Sequence, residues 1–289
     1  MLKYTTNYVK VTVPQHMLLA IGGAFVGIAV SGGILNYNTL LAFISLALLV
    51  GGFNTFNGVT DFKIDLINKP FRPIPLGKVT RKNATLYSII LYAMGLYIAY
   101  NLTSQYLQIY CIAVILSILY SLPIIRLRKR FLINSLSVTI LYGLLCPLAG
   151  WSLMPANPIP IYILVFLLLF GFALSITKDF EDYLGDKVYS NRTIPVVLGP
   201  KPAIFMTSVA LMIAFVYLIL AINLGLLERQ FVIVILLIPG FLYLIYKLYS
   251  DNKHNRYSSE KAKLRKIFFI LMSLGVLVEV LIGTIAFLI

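Results

Sequence analysis

The chain has 289 residues, 60% of them hydrophobic and 12% charged, against about 25% charged in an ordinary soluble domain. With a mean hydropathy of +0.92, a solvated globular domain is excluded as the main architecture, and most of the chain must sit in lipid. The net charge of +14 does not mark a nucleic-acid binder, because Lys and Arg fall in short gaps between apolar runs, where they set membrane orientation.

A spanning helix needs about 20 mainly apolar residues. Nine stretches qualify, near 14–35, 39–57, 84–101, 106–125, 132–152, 159–178, 203–224, 231–249 and 267–288. The first starts at Pro14 and is long for the apolar part of a signal peptide. Gly32 and Gly33 make no persuasive cleavage site, so it reads as a retained helix. Pro123 and Pro147, near the ends of the fourth and fifth runs, are expected to kink or stop their helices. The predicted fold is therefore all-α: a polytopic membrane bundle of nine transmembrane helices forming one domain over 1–289.

The gaps alternate in charge. Lys3 and Lys10 precede the first run, and Asn36 to Asn38 after it carry no charge. Basic residues then cluster after the second run (Lys63, Lys69, Arg72, Lys78, Arg81, Lys82), the fourth (Arg126, Arg128, Lys129, Arg130), the sixth (Lys178, Lys187, Arg192, Lys201) and the eighth (Lys247 to Lys266). Gaps after odd-numbered runs hold only Arg229. The rule that basic loops stay inside places the N-terminus and each gap after an even-numbered span in the cytoplasm, and the C-terminus outside, for a multi-pass protein of the cell membrane. For Arg128, Lys129, Arg130 and the basic residues of 253–266, orientation alone is the expected role.

A short echo links two of these gaps. Asp61-Phe62-Lys63 with Arg72-Pro73-Ile74-Pro75 returns four spans later as Asp179-Phe180-Glu181 with Arg192-Thr193-Ile194-Pro195. It points to two four-helix halves plus a ninth helix.

Six of the ten acidic residues lie in the same two gaps: Asp61, Asp65, Asp179, Glu181, Asp182 and Asp186. Carboxylates beside membrane spans are rare and usually functional. Asn57, Asp61 and Asp65 are spaced i, i+4, i+8, and Asp179, Asp182 and Asp186 are spaced i, i+3, i+7, so each set lines one helix face. Two such faces meeting at one end of a bundle would offer oxygen ligands to a hard cation such as Mg²⁺, which takes one or two protein carboxylates and fills its shell with water and phosphate oxygens. Lys69, Arg72, Lys78, Lys178, Lys187 and Arg192 flank the acids. Acids holding a cation, bases beside them and apolar spans behind imply an amphiphilic substrate with a phosphate head and a lipid tail. A transporter would share the spans, repeats and acids, but tends to place its carboxylates near the bilayer midplane. Here only Glu279 falls mid-span, as a hydrogen-bonded or interfacial acid. Cys111 and Cys146 read as packing residues, and the isolated His16 and His254 carry no assigned role.

The acidic segments also carry a resemblance. Asn57-Gly-Val-Thr-Asp61-Phe-Lys-Ile-Asp65 is similar to the NDxxDxxxD motif of the UbiA superfamily of intramembrane prenyltransferases. Asp179-Phe-Glu-Asp182-Tyr-Leu-Gly185-Asp186 resembles that family's second acidic motif, Asn68 to Pro75 its NxPxRPIP stretch, and Tyr120-Ser121 its YS pair near the diphosphate. The resemblance implies Mg²⁺ held through Asn57, Asp61, Asp182 and Asp186, with Asp179 in the same set. Asp65 either completes the metal shell or orients basic partners. It further implies catalytic roles for Asp61, Asp65, Asp182 and Asp186, and diphosphate contacts from Arg72, Tyr120, Arg126 and Lys178. The implied partners are a prenyl diphosphate donor, a lipophilic acceptor and membrane lipid, with no obligate protein partner. The branch it most resembles is the archaeal digeranylgeranylglyceryl phosphate synthases of ether-lipid synthesis, which join geranylgeranyl diphosphate to geranylgeranylglyceryl phosphate; an aromatic acceptor, as in quinone or chlorophyll branches, is the alternative. Gly58 stands where the family has an Asp. Neighbours on a helix differ by about 100°, so position 58 should point away from the face of Asn57 and Asp61.

Overall fold

The structure is a computed structural model describing residues 2–154, 157–252 and 261–289. Lys253, His254 and Arg256, from the basic gap after the eighth run, lie outside the described residues, as do the side chains of Lys3 and Lys261. The chain forms α1 (Leu2–Val11), α2 (Pro14–Val30), α3 (Tyr37–Thr60), α4 (Phe62–Asn68), α5 (Arg81–Tyr100), α6 (Ser104–Ser121), α7 (Ile133–Ile140), α8 (Cys146–Trp151), α9 (Ile161–Val188), α10 (Ile194–Leu198), α11 (Pro200–Asn223), α12 (Ile238–Asn252) and α13 (Lys261–Leu288). Among the described residues eight helices are long and apolar enough to cross a membrane; α2, of 17 residues, is a shorter apolar helix. The chain is an all-α, multi-pass membrane protein.

Local chemistry sets the helix ends. Asn36 and Thr39 exchange side-chain and backbone hydrogen bonds at the start of α3, which satisfies donors that the first turn leaves free. Before Pro123, Leu122 is extended and α6 stops, as the ring of a following proline requires. Pro147 does not stop its helix. The turn before it widens into a π-helical segment, Leu141–Leu145, that joins α7 to α8 and relieves the clash between the ring and the preceding carbonyls. The eighth run is not helical in one style either: Arg229–Leu237 is 3₁₀, and α12 begins beside Pro239, which has no N–H to donate.

Two cores result. One joins α2, α3, α6 and the α7–α8 helix through Ala24, Leu46, Leu49, Tyr106, Leu141 and Cys146. The other joins α9, α11, α12 and α13 through Phe166, Phe170, Phe215, Phe241 and Val278. The α7–α8 helix thus contributes to the first core, although the sequence echo groups it with the second half. Helix α2 packs on both α8 and α13. It passes so close to α8 that a β-carbon at Gly27 would strike the Pro147 backbone and one at Gly150 would strike the Ala24 carbonyl. Without a hydrophobic force between helices in lipid, such small-residue contact supplies the packing.

The main departure from the expected spans is α9. It does not end at 178 but runs ten residues further to Val188, carrying Asp179, Asp182 and Asp186 with it. The added turns stay helical because their carboxylates find partners on other elements.

Candidate active site

The first acidic set is one helical ladder across the α3–α4 junction. The backbone bonds Asp61 N–H to Asn57 O, Asp65 N–H to Asp61 O and Lys69 N–H to Asp65 O are each 2.8 Å. Asn57 therefore sits one turn before Asp61 and donates to its carboxylate at 2.7 Å. Asp65 pairs with Arg72 at 3.1 Å. Gly58 faces elsewhere: a β-carbon there would meet only Ile74 Cδ1, at 3.3 Å, in the small cluster of Val11, Val59, Ile74 and Val79.

The second set occupies the last turns of α9. Asp179 accepts from Asn134 at 2.7 Å and from Lys178 at 2.6 Å. Asp182 pairs with Lys69 at 2.6 Å, and Asp186 accepts from Asn191 at 2.7 Å. The sets are clamped together by Asn68, whose Nδ2 donates to the Asp182 carbonyl at 2.8 Å while its Oδ1 accepts from Gly185 N–H at 2.7 Å. A β-carbon at position 185 would lie 2.6 Å from that amide, so only glycine allows the approach.

Between the sets lies Arg128. Its guanidinium pairs with Asp61, reaches Asp182 at 3.2 Å and Asp186 at 3.5 Å, and donates to Asn57 at 3.3 Å. Only 6% of the residue is exposed. This corrects the sequence reading of Arg128 as an orientation signal. Arg126 joins it on Asp61 at 2.9 Å. The backbone of Arg126 is left-handed, with φ at 42°, a conformation disfavoured by about 1–2 kcal/mol that turns the α6–α7 connection back over the acids.

A cavity of ≈150 Å³ opens beneath this network. Of the residues given a metal or diphosphate role from sequence, Asn57, Arg72, Tyr120, Lys178 and Asp182 line it. Asp61, Asp65, Asp179 and Asp186 are buried but outside its lining, as the partners of the lining cations Arg128, Arg72 and Lys178. Arg126 does not line it; Lys69, Arg128, Glu181 and His16 do. Tyr120 donates to Asn134 at 2.7 Å and accepts from Lys178 at 3.3 Å, so it orients that lysine. Away from this polar end the wall is apolar, with Phe53, Leu167, Phe170 and Met272 among its residues. Glu279 is buried in this wall against Gly22, its Oε2 without a hydrogen-bond partner. Lys78, Lys187 and Arg192 are exposed.

The loop charges respond to burial. It pushes the Asp65 carboxyl above its ordinary range against the pull of Arg72 and Lys69. Burial alone would lower Lys69, but the charges of Asp182, Glu181 and Asp65 together outweigh it and hold the ammonium above its usual value. Burial likewise works against Arg72, which Asp65 and Asp182 hold above its usual value. Burial lowers Arg126.

Sequence reasoning missed Arg128, hidden in a run of basic residues, and Asn134, although a polar amide near the head of an apolar run is itself a signal. Asn191 and His16 carried no signal of spacing.

An ion-paired polar end with an apolar cavity behind it suits an ionic head and a hydrocarbon tail. The sequence model of the UbiA prenyltransferase family matches residues 17–276. The digeranylgeranylglyceryl phosphate synthase of Methanosphaera stadtmanae is 31% identical over 199 residues, 69% of this chain and 71% of that protein. That of Methanobrevibacter smithii is 32% identical over 198 residues, 67% and 70% of the two chains. Among solved structures, a UbiA homolog from Archaeoglobus fulgidus bound to GPP and Mg²⁺ superposes with a TM-score of 0.76 at 20% identity, covering 98% of this chain and 100% of that one. The chain belongs to the UbiA prenyltransferase family and is an enzyme of that class.

Proposed function

We propose that this enzyme transfers a geranylgeranyl group from its diphosphate to a lipophilic acceptor, geranylgeranylglyceryl phosphate, with Mg²⁺ as cofactor. The observation that carries the reading is Arg128, which ties Asp61 of the first acidic set to Asp182 and Asp186 of the second at the polar end of an apolar cavity. The relatives named digeranylgeranylglyceryl phosphate synthase support the acceptor, and the Archaeoglobus homolog bound to GPP and Mg²⁺ supports donor and metal.

Among the described residues no three His, Cys, Asp or Glu side chains form a metal-holding group by themselves. The donor set still fits Mg²⁺, which needs few protein carboxylates when phosphate oxygens complete its shell. The buried oxygens Asp186 Oδ2 and Asn191 Oδ1 also have no hydrogen-bond partner. Asn57, Asp61, Asp182 and Asp186 would hold it, with Asp65 and Asp179 fixing the bases around them. When bound, Mg²⁺ supplies Lewis-acid stabilisation of the departing diphosphate. Lys69, Arg72, Arg128 and Lys178 bind the same oxygens as charge builds on them. Phe53 and Phe170, in the cavity wall, would keep water from the allylic carbon.

For topology we infer nine crossings, α2 being the first: two four-helix halves with one acidic set each, and α13 as the ninth. The site and N-terminus face the cytoplasm and the C-terminus lies outside, and residues 1–289 make one domain. The alternation of basic gaps supports this.

The test is purified enzyme with labelled geranylgeranyl diphosphate and a panel of acceptors. Product should form with geranylgeranylglyceryl phosphate, and vanish with chelator or in Asp61→Ala and Asp182→Ala. Product with aromatic acceptors alone would replace the ether-lipid reading, and full activity in excess chelator would remove the metal.

A further inference from the structure

His16 sits on α2, and its ring lines the cavity. Its two nitrogens differ. Nδ1 lies 3.1 Å from Asn54 Oδ1. The Asn54 amide is itself oriented, because its Nδ2 donates to the Thr12 carbonyl at 3.0 Å. A carbonyl accepts only, so Nδ2 must face Thr12 and Oδ1 must face the imidazole. An amide oxygen also accepts only, so Nδ1 must carry the hydrogen. In a neutral ring the other nitrogen then presents a lone pair. That nitrogen, Nε2, is shielded from solvent and has no hydrogen-bond partner. Phe268 of α13 meets the ring edge-on, with centroids 6.1 Å apart.

An imidazole on a residue of the cavity wall, its tautomer fixed from behind and its second nitrogen without a partner, has the arrangement of a general base. Asn54 lies one turn before Asn57 on α3, so His16 stands beside the diphosphate end of the cavity. The charged groups whose fields reach it are Lys69, Arg72 and Lys178. None of them can take a proton from a substrate while it is itself charged.

We propose that His16 Nε2 accepts the proton of the hydroxyl that attacks the donor, which makes the acceptor an alcohol; this deepens the proposed function and rests on it. The donor's allylic C1–O bond breaks and the electron pair leaves with the diphosphate. The acceptor oxygen forms the new bond to C1. Its proton passes to Nε2, and the resulting imidazolium returns it to water at the polar end. Asn54 acts through His16 and is a positioning residue.

The experiment measures transfer from geranylgeranyl diphosphate to geranylgeranylglyceryl phosphate by wild type, His16→Asn, His16→Gln and Asn54→Ala, together with donor binding and the pH dependence of kcat. Both His16 variants should lose about 100-fold or more in kcat, bind donor within about threefold of wild type, and lack the rise of rate with pH that wild type shows. Asn54→Ala should lose about 10-fold and shift that rise. The inference is overturned if His16→Gln keeps the wild-type rate, since an amide can hold a hydroxyl but cannot take its proton. An unchanged pH profile in His16→Asn, an unaffected Asn54→Ala, or loss of donor binding in both His16 variants overturns it as well. A wild type that prenylates no acceptor removes the proposed function and this inference with it, whereas a working wild type matched by its variants removes this inference alone.

Discussion

Arg128 is one side chain with three carboxylates around it, and burial decides its importance. At the surface such contacts would be worth little. Here the pairs are almost fully buried, and removing one partner of a buried pair costs about 3–5 kcal/mol because the others stay charged and unpaired. Arg128→Ala should therefore lower thermal stability in detergent by that order and abolish donor binding. Arg128→Lys should not restore either, because a single ammonium cannot span the fork from Asp61 to Asp186. A variant as stable and as tightly binding as wild type would mean that the acids are neutral without it. At this scale the sequence was half legible. Helical spacing brought each acidic set onto one face, as the ladder from Asn57 to Lys69 shows. It could not say which of four neighbouring basic residues would turn inward, since that depends on the left-handed backbone at Arg126.

At the scale of elements, the site depends on α4 lying against the end of α9. The contact rests on the Asn68 amide, which serves one acceptor and one donor of the α9 backbone, and on the missing β-carbon of Gly185. Gly185→Ala should push Asn68 out and lose both hydrogen bonds, at about 1–3 kcal/mol for buried groups left unsatisfied. Asn68→Ala should cost a similar amount, and the double variant little more than either alone, because both remove one clamp. Additive losses in thermal unfolding would show the two to be independent. Helix lengths were less legible than helix existence. Hydropathy ends α9 where the charges begin, at 178, but the helix continues because Asn134, Lys69 and Asn191 satisfy those charges from other elements. Pro147 was rightly marked as a disturbance. Its outcome, a π-turn and not a break, was set by the packing of α8 on α2.

For the whole molecule, orientation can be tested by chemistry at exposed positions. In a Cys111→Ser, Cys146→Ala background, single cysteines at Lys78 and Arg192 should react with a membrane-impermeant thiol reagent from the cytoplasmic side. Those at Asn38 and Asn101 should react from the other. Labelling of Lys78→Cys and Arg192→Cys from opposite sides would contradict a shared site. The alternation of basic gaps was readable because it is a property of the chain alone. The two cores were not, because the echo groups α7–α8 with the second half while the side chains of Leu141 and Cys146 pack into the first.

The ion pairs around Arg128 make the polar end an ion exchanger at rest. Every acid there already has a basic counter-ion, so a cation entering alone would displace Arg128 with no anion to receive it, and a diphosphate entering alone would face the carboxylates it freed. Were the two to arrive together, the carboxylates would hold the cation and the arginine the diphosphate, so that charge would stay balanced. Binding should therefore be cooperative: Mg²⁺ should tighten donor binding, and by linkage the donor should tighten Mg²⁺ binding by the same factor. Calorimetric titration of each in the presence and absence of the other measures that factor, and a value of one would mean that the resting pairs do not need to exchange.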